Sequence, residues 1–369
     1  MGFFKAEGLI SGWAGKIRNN LYFRITRQCN KVLLWYFKIS ITLIELSLLF
    51  KLEFYPFFSF VEDDKIYFIG NRVEAYNSNK KIYSYRLKSQ INGVCKISKN
   101  LYILTNEGIV KFDYLKSKVI LSSRGNFDNI ACKDDKILVS SSGNSIILDT
   151  NLNKVFEIDG KFNVINDFLT DNDTLSKKVL VISLKNIDSV IIRNFEGFVP
   201  YFGKSDSSYY VIAGFSKRNF YIYFFENKNL RWYSKISTKV IISDVILNLK
   251  DRTILIYGQS QRTFYVNLKD LMGEDIWVYN PRVLGVYYLD ETIRDAFIDN
   301  GKIFSCGYSI REGEKRGVIK VFNYTDGNLI YDYFDNEVED FIKIFKIKEN
   351  YYAIGITKKF IGFYKLDFK

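Results

Sequence analysis

The sequence contains no histidine, and only three prolines and four cysteines among 369 residues. Without histidine no side chain has an ordinary pKa near neutrality, so Ser/His/Asp and Cys/His nucleophile systems and His-liganded zinc or haem sites are excluded. Most hydrolase mechanisms go with them. Cys29, Cys95, Cys132 and Cys306 are far apart and form no CxxC pair. Neither a thiolate zinc site nor a disulfide framework is expected, and the four read as small buried apolar residues. The chain also lacks a phosphate-cradling glycine loop, a dinucleotide fingerprint and an HExxH helix. In residues 170–174 the alternating Asp171 and Asp173 open like a calcium loop, but the glycine and terminal glutamate of such a loop are missing, which leaves a solvated turn. No cofactor and no metal are expected. Scarce Pro, His and Ala beside many Lys, Asn, Ile, Phe and Tyr is what an A+T-rich coding sequence imposes, so it carries no functional weight.

What is present is apolar, aromatic and basic. An apolar fraction of 47% and an aromatic fraction of 17% exclude global disorder and suffice for a large core. The net charge of +12 is uneven. Lys5, Lys16, Arg18, Arg24, Arg27, Lys31, Lys38 and Lys51 face only Glu7 and Glu45 in the first 51 residues. A membrane or nucleic-acid contact is to be sought there first.

From residue 57 onward, short β-branched and aromatic runs alternate with Asn, Asp, Lys, Ser and Gly clusters, with almost no helical periodicity. A polar turn followed by an aromatic or aliphatic strand recurs eight times: at Asp64, Asn100, Asp135, Ser176, Ser208, Asp251, Asn300 and Asn350. Each is preceded by one apolar run and, except in the last copy, followed by two more, giving four strands in roughly 40 residues, the size of a propeller blade. A β-sandwich or a pair of barrels shares the strand spacing but needs no such super-period.

Five units place an aromatic shortly past the third turn: Tyr83, Phe156, Trp232, Trp277 and Tyr331. Two carry a turn glycine before it, Gly273 in VNLKDLMGEDIW and Gly327 in VFNYTDGNLIY. These words resemble the repeat of PQQ-like and WD40-like propellers. The resemblance implies an all-β, seven- or eight-bladed β-propeller of four-stranded blades, with the aromatic packed between neighbouring blades and the glycine at a positive-φ turn. The vicinal cysteines characteristic of the PQQ-like quinoproteins are absent, which removes the quinone.

The chain divides into a basic amphipathic segment (1–31), an apolar segment (32–53) and the propeller (54–369). Residues 3–23 place Phe3, Ile10, Trp13, Ile17 and Leu21 at helical spacing among basic residues, fit either for an anionic membrane surface or for docking on the propeller. Residues 32–50 are long enough to span a bilayer but contain Lys38 and Glu45. Three readings stay open: a membrane anchor or uncleaved signal, a cleaved signal, and a strand that closes the ring. The last unit lacks an outermost strand, and residues 45–54 lie where one could be supplied.

The leading expectation is a non-enzymatic interaction scaffold that binds another protein by its rim or top face, membrane-associated (single-pass) or exported, in the manner of an envelope-assembly propeller. Cys29 has no lipobox before it. The alternatives are an enzyme, a lyase or glycan hydrolase with carboxylates in the central funnel, and a cytoplasmic WD40-like scaffold. The basic segment REGEKRG, read as an insertion carrying Arg311, Lys315 and Arg316, is a candidate partner-binding loop. Nucleic acid is not indicated, because the aromatics lie inside strands rather than beside a basic stripe.

Overall fold

The computed structural model describes residues 44–369 except 78–79, 142–143, 160–162, 166–167, 174–177, 184–187, 194–197, 207, 217–218, 228, 237–239, 261, 281–289, 312 and 369, with 158–197 as backbone only. The basic segment 1–31 and residues 32–43 lie outside the described residues.

The described chain forms eight four-stranded antiparallel sheets, numbered here in ring order, and no helix. First strands of successive sheets touch one another, so they line the axis and the fourth strands form the rim. The architecture is a β-propeller. Adjacent sheets share apolar cores: sheets 1 and 2 through Tyr67, Ile91 and Tyr114, sheets 5 and 6 through Phe224 and Tyr265, sheets 7 and 8 through Phe304 and Phe341. Because the second and third strands are covered on both faces, they read as continuous apolar runs such as KIYFI and TILIYG rather than as an alternating pattern.

The ring is closed by the N-terminal side of the chain. Ile44–Leu52 pairs antiparallel with Ile361–Phe368 as the outermost strand of sheet 8. Residues 44–50 are therefore strand, and the transmembrane helix expected over 32–50 does not form. Among the described residues no helix is long and apolar enough to cross a membrane. Leu52 is buried, and the Phe50 ring stacks on Tyr76 of sheet 1 at 4.2 Å and on Phe363 at 5.1 Å.

Two further expectations are corrected. The fourth unit is misphased by one strand: its sheet is Asn163–Ile165, Phe168–Asp173, Lys178–Ser183 and Asp188–Arg193, so KVLVIS is third rather than second. Asp171 and Asp173 lie in its second strand, not in a turn. A first strand of three residues leaves too little apolar pattern to set the phase.

The cysteines are not all free. Cys95 and Cys132, on the first strands of sheets 2 and 3, form a disulfide with Cα atoms 5.5 Å apart. Their separation of 37 residues is about one blade, which brings the neighbouring first strands within reach of each other. Cys306 is free and buried, as expected. Cross-linking a loop of this length is worth about 4 kcal/mol in the chain-entropy account. Cys132→Ser should therefore melt well below the parent under non-reducing conditions, and dithiothreitol should lower the parent to the same point. Coincident melts without reductant would show that the bridge does not constrain the ring.

The five repeat aromatics all lie on fourth strands, each directly after the extra residue at which that strand bulges against the third. Tyr83 Oη donates to Tyr114 O (2.7 Å), Trp232 Nε1 to Leu271 O (3.0 Å) and Trp277 Nε1 to Tyr324 O (2.8 Å). Each acceptor follows an Asp or Asn whose side chain accepts from the turn's own N–H groups: Asp113, Asp270 and Asn323. The glycine partnerships run between blades. A Cβ on Gly273 (φ +91°) would lie 2.7 Å from the Trp232 ring, and one on Gly327 (φ +71°) 2.5 Å from Trp277. Each turn glycine thus receives the preceding blade's tryptophan, not the one that follows it in its own unit.

A second glycine repeat shapes the axis. Gly214, Gly258 and Gly307 sit opposite Pro200, Ile242 and Ile293, beside bulges that insert Tyr201, Ser243 and Arg294 into the first strands of sheets 5, 6 and 7. A Cβ at Gly307 would fall on the Thr292 carbonyl oxygen. The bulge this close approach permits re-aims Arg294 along the strand.

Candidate functional site

Between the closing strand and sheet 1 the chain crosses one face of the ring as a strap, residues 53–57, bent at Glu53, Phe54 and Phe57. Its burial alternates: Leu52, Phe54 and Pro56 are buried, whereas Glu53, Tyr55 and Phe57 point outward. Phe54 packs with Phe68 and Phe345 in the core between sheets 8 and 1. Arg72 Nη2 donates to Glu53 Oε2 at 2.9 Å, its guanidinium carbon lies 5.2 Å from the Phe54 ring, and its Nε lies 3.4 Å from buried Glu74. Glu74 in turn accepts from Tyr76 Oη (2.7 Å), Lys81 Nζ (2.9 Å) and Ser84 Oγ (3.0 Å). Burial pushes its carboxyl up, and these hydrogen bonds outweigh that and hold it below the ordinary glutamate range.

The result is two aromatic rings held up on a rigid support, Tyr55 at 55% and Phe57 at 47% exposure. A pocket lies on either side. One, of about 380 Å³, is lined by Tyr55, Phe57, Asn71, Arg86, Lys88 and Gln90 among others; the other, of about 270 Å³, by Pro56, Phe58, Ile342, Lys343 and Ile354 with the same two aromatics. Neither lining includes a carboxylate.

The candidate loop of sheet 7 opens on the same face. REGEKRG is a tight hairpin rather than an insertion, joining the long strands Lys302–Arg311 and Glu314–Asn323. Its cations are engaged within the chain: Lys315 with Asp340 at 2.7 Å, Arg316 with Glu314 at 3.2 Å, and Arg311 with Glu291 at 3.8 Å. Arg294, placed by its bulge, also meets Asp340, at 3.1 Å, and Tyr308 lies under both Arg294 and Lys315. Burial works against the Arg294 charge, and Asp340 overcomes it, holding the guanidinium above its usual range.

Axial carboxylates are likewise paired across blades: Glu62 with Lys96 (2.7 Å), Asp244 with Lys204 (2.7 Å) and Asp295 with Lys343 (2.9 Å). Burial pushes Asp295 and Glu291 above the ordinary carboxylate range. Glu291 has no hydrogen-bond partner for either oxygen and faces the buried Lys320 at 3.6 Å. Lys320 is itself bound to Asp332 at 2.7 Å. Among the described residues no three Asp, Glu or Cys side chains gather where they could hold a metal ion. The charges on the axis tie blades together.

No family model matches the chain, and no curated protein matches it. Solved structures do. Kluyveromyces lactis Hsv2p superposes with a TM-score of 0.50 at 12% identity, over 74% of this chain and 95% of that one. BBS1N in complex with ARL6DN gives 0.50 at 10%, over 89% and 97%, and a eukaryotic initiation factor gives 0.54 at 9%, over 82% of each. At these identities the fold alone is shared.

Of the residues singled out from the sequence, Tyr83, Trp232, Trp277 and Tyr331 pack into cores between blades, Gly273 and Gly327 lie against tryptophans of the preceding blades, Phe156 is 45% exposed, and the three hairpin cations are paired with carboxylates. Tyr55, Phe57, Arg86 and Lys88 escaped that reading. The signal was the alternation in LEFYPF around a rare proline.

Proposed function

We propose that this chain is a non-enzymatic β-propeller scaffold that docks another protein on the face carrying the strap. The observation that supports it is the pair Tyr55 and Phe57, held exposed by a buried backbone and a charged clamp. Rigid aromatics beside concave pockets are the anchors of protein interfaces, because little side-chain freedom is lost on contact. The solved BBS1N propeller, crystallised with ARL6DN, is a propeller with a protein partner. The axial carboxylates Glu62, Asp244 and Asp295, each held by a lysine of a neighbouring blade, argue against the funnel-enzyme alternative.

The Cys95–Cys132 bridge favours an oxidising compartment and hence the exported form of the scaffold. Because residues 44–50 belong to the ring, the apolar run before it, 32–43, is shorter than the roughly 20 residues of a spanning helix.

The test is a photo-crosslinking residue at position 55 in the full chain, irradiated in cells. A discrete adduct is expected there. None is expected from the same label at Met272, which is 75% exposed in a third-to-fourth-strand turn, at the opposite strand ends from the strap. Identical adduct patterns from both positions, or none from 55, would reject docking on this face.

A further inference from the structure

We infer that the Tyr55–Phe57 pockets take an extended acidic segment of the partner protein. This rests on the docking reading above and adds the chemistry of what is docked. The larger pocket is lined by two cations, Arg86 and Lys88, with Asn71, Ser89 and Gln90 as further polar groups and no carboxylate. Among the described residues neither cation has an ionic partner. Several other cations on this face are held by carboxylates: Arg72 by Glu53 and Glu74, Arg294 and Lys315 by Asp340, Lys343 by Asp295. The uncompensated charge of Arg86 and Lys88 lies beside the exposed aromatics in one pocket.

A carboxylate brought there meets charge no internal group satisfies, which raises both encounter rate and discrimination against basic segments. The smaller pocket supplies the apolar half of the recognition, with Pro56, Phe58, Ile342 and Ile354 to receive an aliphatic or aromatic side chain. Tyr55 and Phe57 are two residues apart and both exposed, a spacing that matches the period at which an extended partner presents successive side chains to one side. An anionic bilayer is the weaker match. Its recognition draws on clusters of four to eight basic residues over a broad surface, whereas here two free cations line a concavity of single-side-chain size.

The probe is a phage-displayed library of random twelve-residue peptides panned against the full chain. Enriched sequences should carry net negative charge and at least one large apolar residue. The double variant R86E/K88E, both positions being exposed, should keep the parent melt and reverse the enrichment toward basic peptides. Y55A/F57A should lose enrichment of either kind. A selected peptide, followed by fluorescence anisotropy, should bind R86E/K88E at least 10-fold more weakly than the parent. R262E, at a 76% exposed side chain on the same face outside both linings, should change the affinity less than 2-fold.

Enrichment without charge bias, or binding indifferent to R86E/K88E, overturns the inference. So does pelleting of the chain with phosphatidylserine vesicles that R86E/K88E abolishes, which would make a membrane the occupant. If the position-55 crosslink persists while panning shows no acidic bias, docking stands and the partner chemistry falls; if the crosslink is also absent, both fall.

Discussion

A chain beginning at residue 54 is expected to show no cooperative melting transition, whereas one beginning at residue 43 should melt like the full chain. The shorter form loses Ile44–Leu52 and leaves Ile361–Phe368 as an open edge. Leu46, Leu49, Phe50 and Leu52 pack into the cores that join sheet 8 to sheets 7 and 1. With Leu52 fully and the other three partly buried, at roughly 1–2 kcal/mol each they contribute about 4–8 kcal/mol. That is comparable to the whole net stability of an ordinary domain, about 5–15 kcal/mol. Losing the antiparallel ladder adds to it. Circular dichroism during a thermal scan decides the matter, and a sharp transition in the chain from residue 54 would mean the ring holds without its N-terminal strand.

Glu74→Ala is the substitution with the largest expected cost among single side chains near the strap. Its carboxylate is fully buried, and its removal strands the hydroxyls of Tyr76 and Ser84 and the lysine of the Lys81 pair. Breaking a buried ionic network costs about 3–5 kcal/mol. Lys81 is 38% exposed and regains water, which sets the expectation near the lower bound, about 3 kcal/mol. The effect should also reach the strap, since Arg72 loses one of its two carboxylates.

The isosteric Glu74→Gln separates charge from shape. A carboxyl held below its ordinary range contributes stability at pH values above the unfolded-state pKa, and that contribution is lost as the pH falls through the folded-state value. The stability gap between parent and Glu74→Gln should therefore be full at pH 7 and shrink below about pH 4. Urea denaturation at pH 7 and pH 3 measures it. An unchanged gap would mean that the charge of Glu74 does not stabilise the fold.

The four-strand repeat was legible because second and third strands buried on both faces leave runs such as KIYFI and TILIYG that no helix period produces. Phase failed where the first strand shrank to Asn163–Ile165. The partnership of Trp232 with Gly273 and of Trp277 with Gly327 was hidden because contacts between blades join residues of different units. The Cys95–Cys132 bridge obeys the same geometry, and its spacing of one unit was the available clue. LEFYPF conceals its meaning in alternation: Leu52, Phe54 and Pro56 are buried, and Phe54 goes inward because sheets 8 and 1 offer a core beneath it. Charge at the site was least legible of all. Arg311, Lys315 and Arg316 stand out as a basic cluster in the sequence, yet Glu291, Asp340 and Glu314 pair with them, whereas Arg86 and Lys88 look ordinary and line the pocket with no carboxylate beside them.

Because Ile44 lies opposite Phe368, the strand that completes the rim leaves the ribosome some three hundred residues before the strand it pairs with. Throughout translation Phe50 and Leu52 have no permanent place to go, and the growing arc of blades presents an unpaired flank. Among the described residues the pairing also has the longest sequence separation, which makes it the slowest to find. Synthesis speed and chaperone cover, rather than the stability of any one blade, should then govern how much of this protein reaches its closed form.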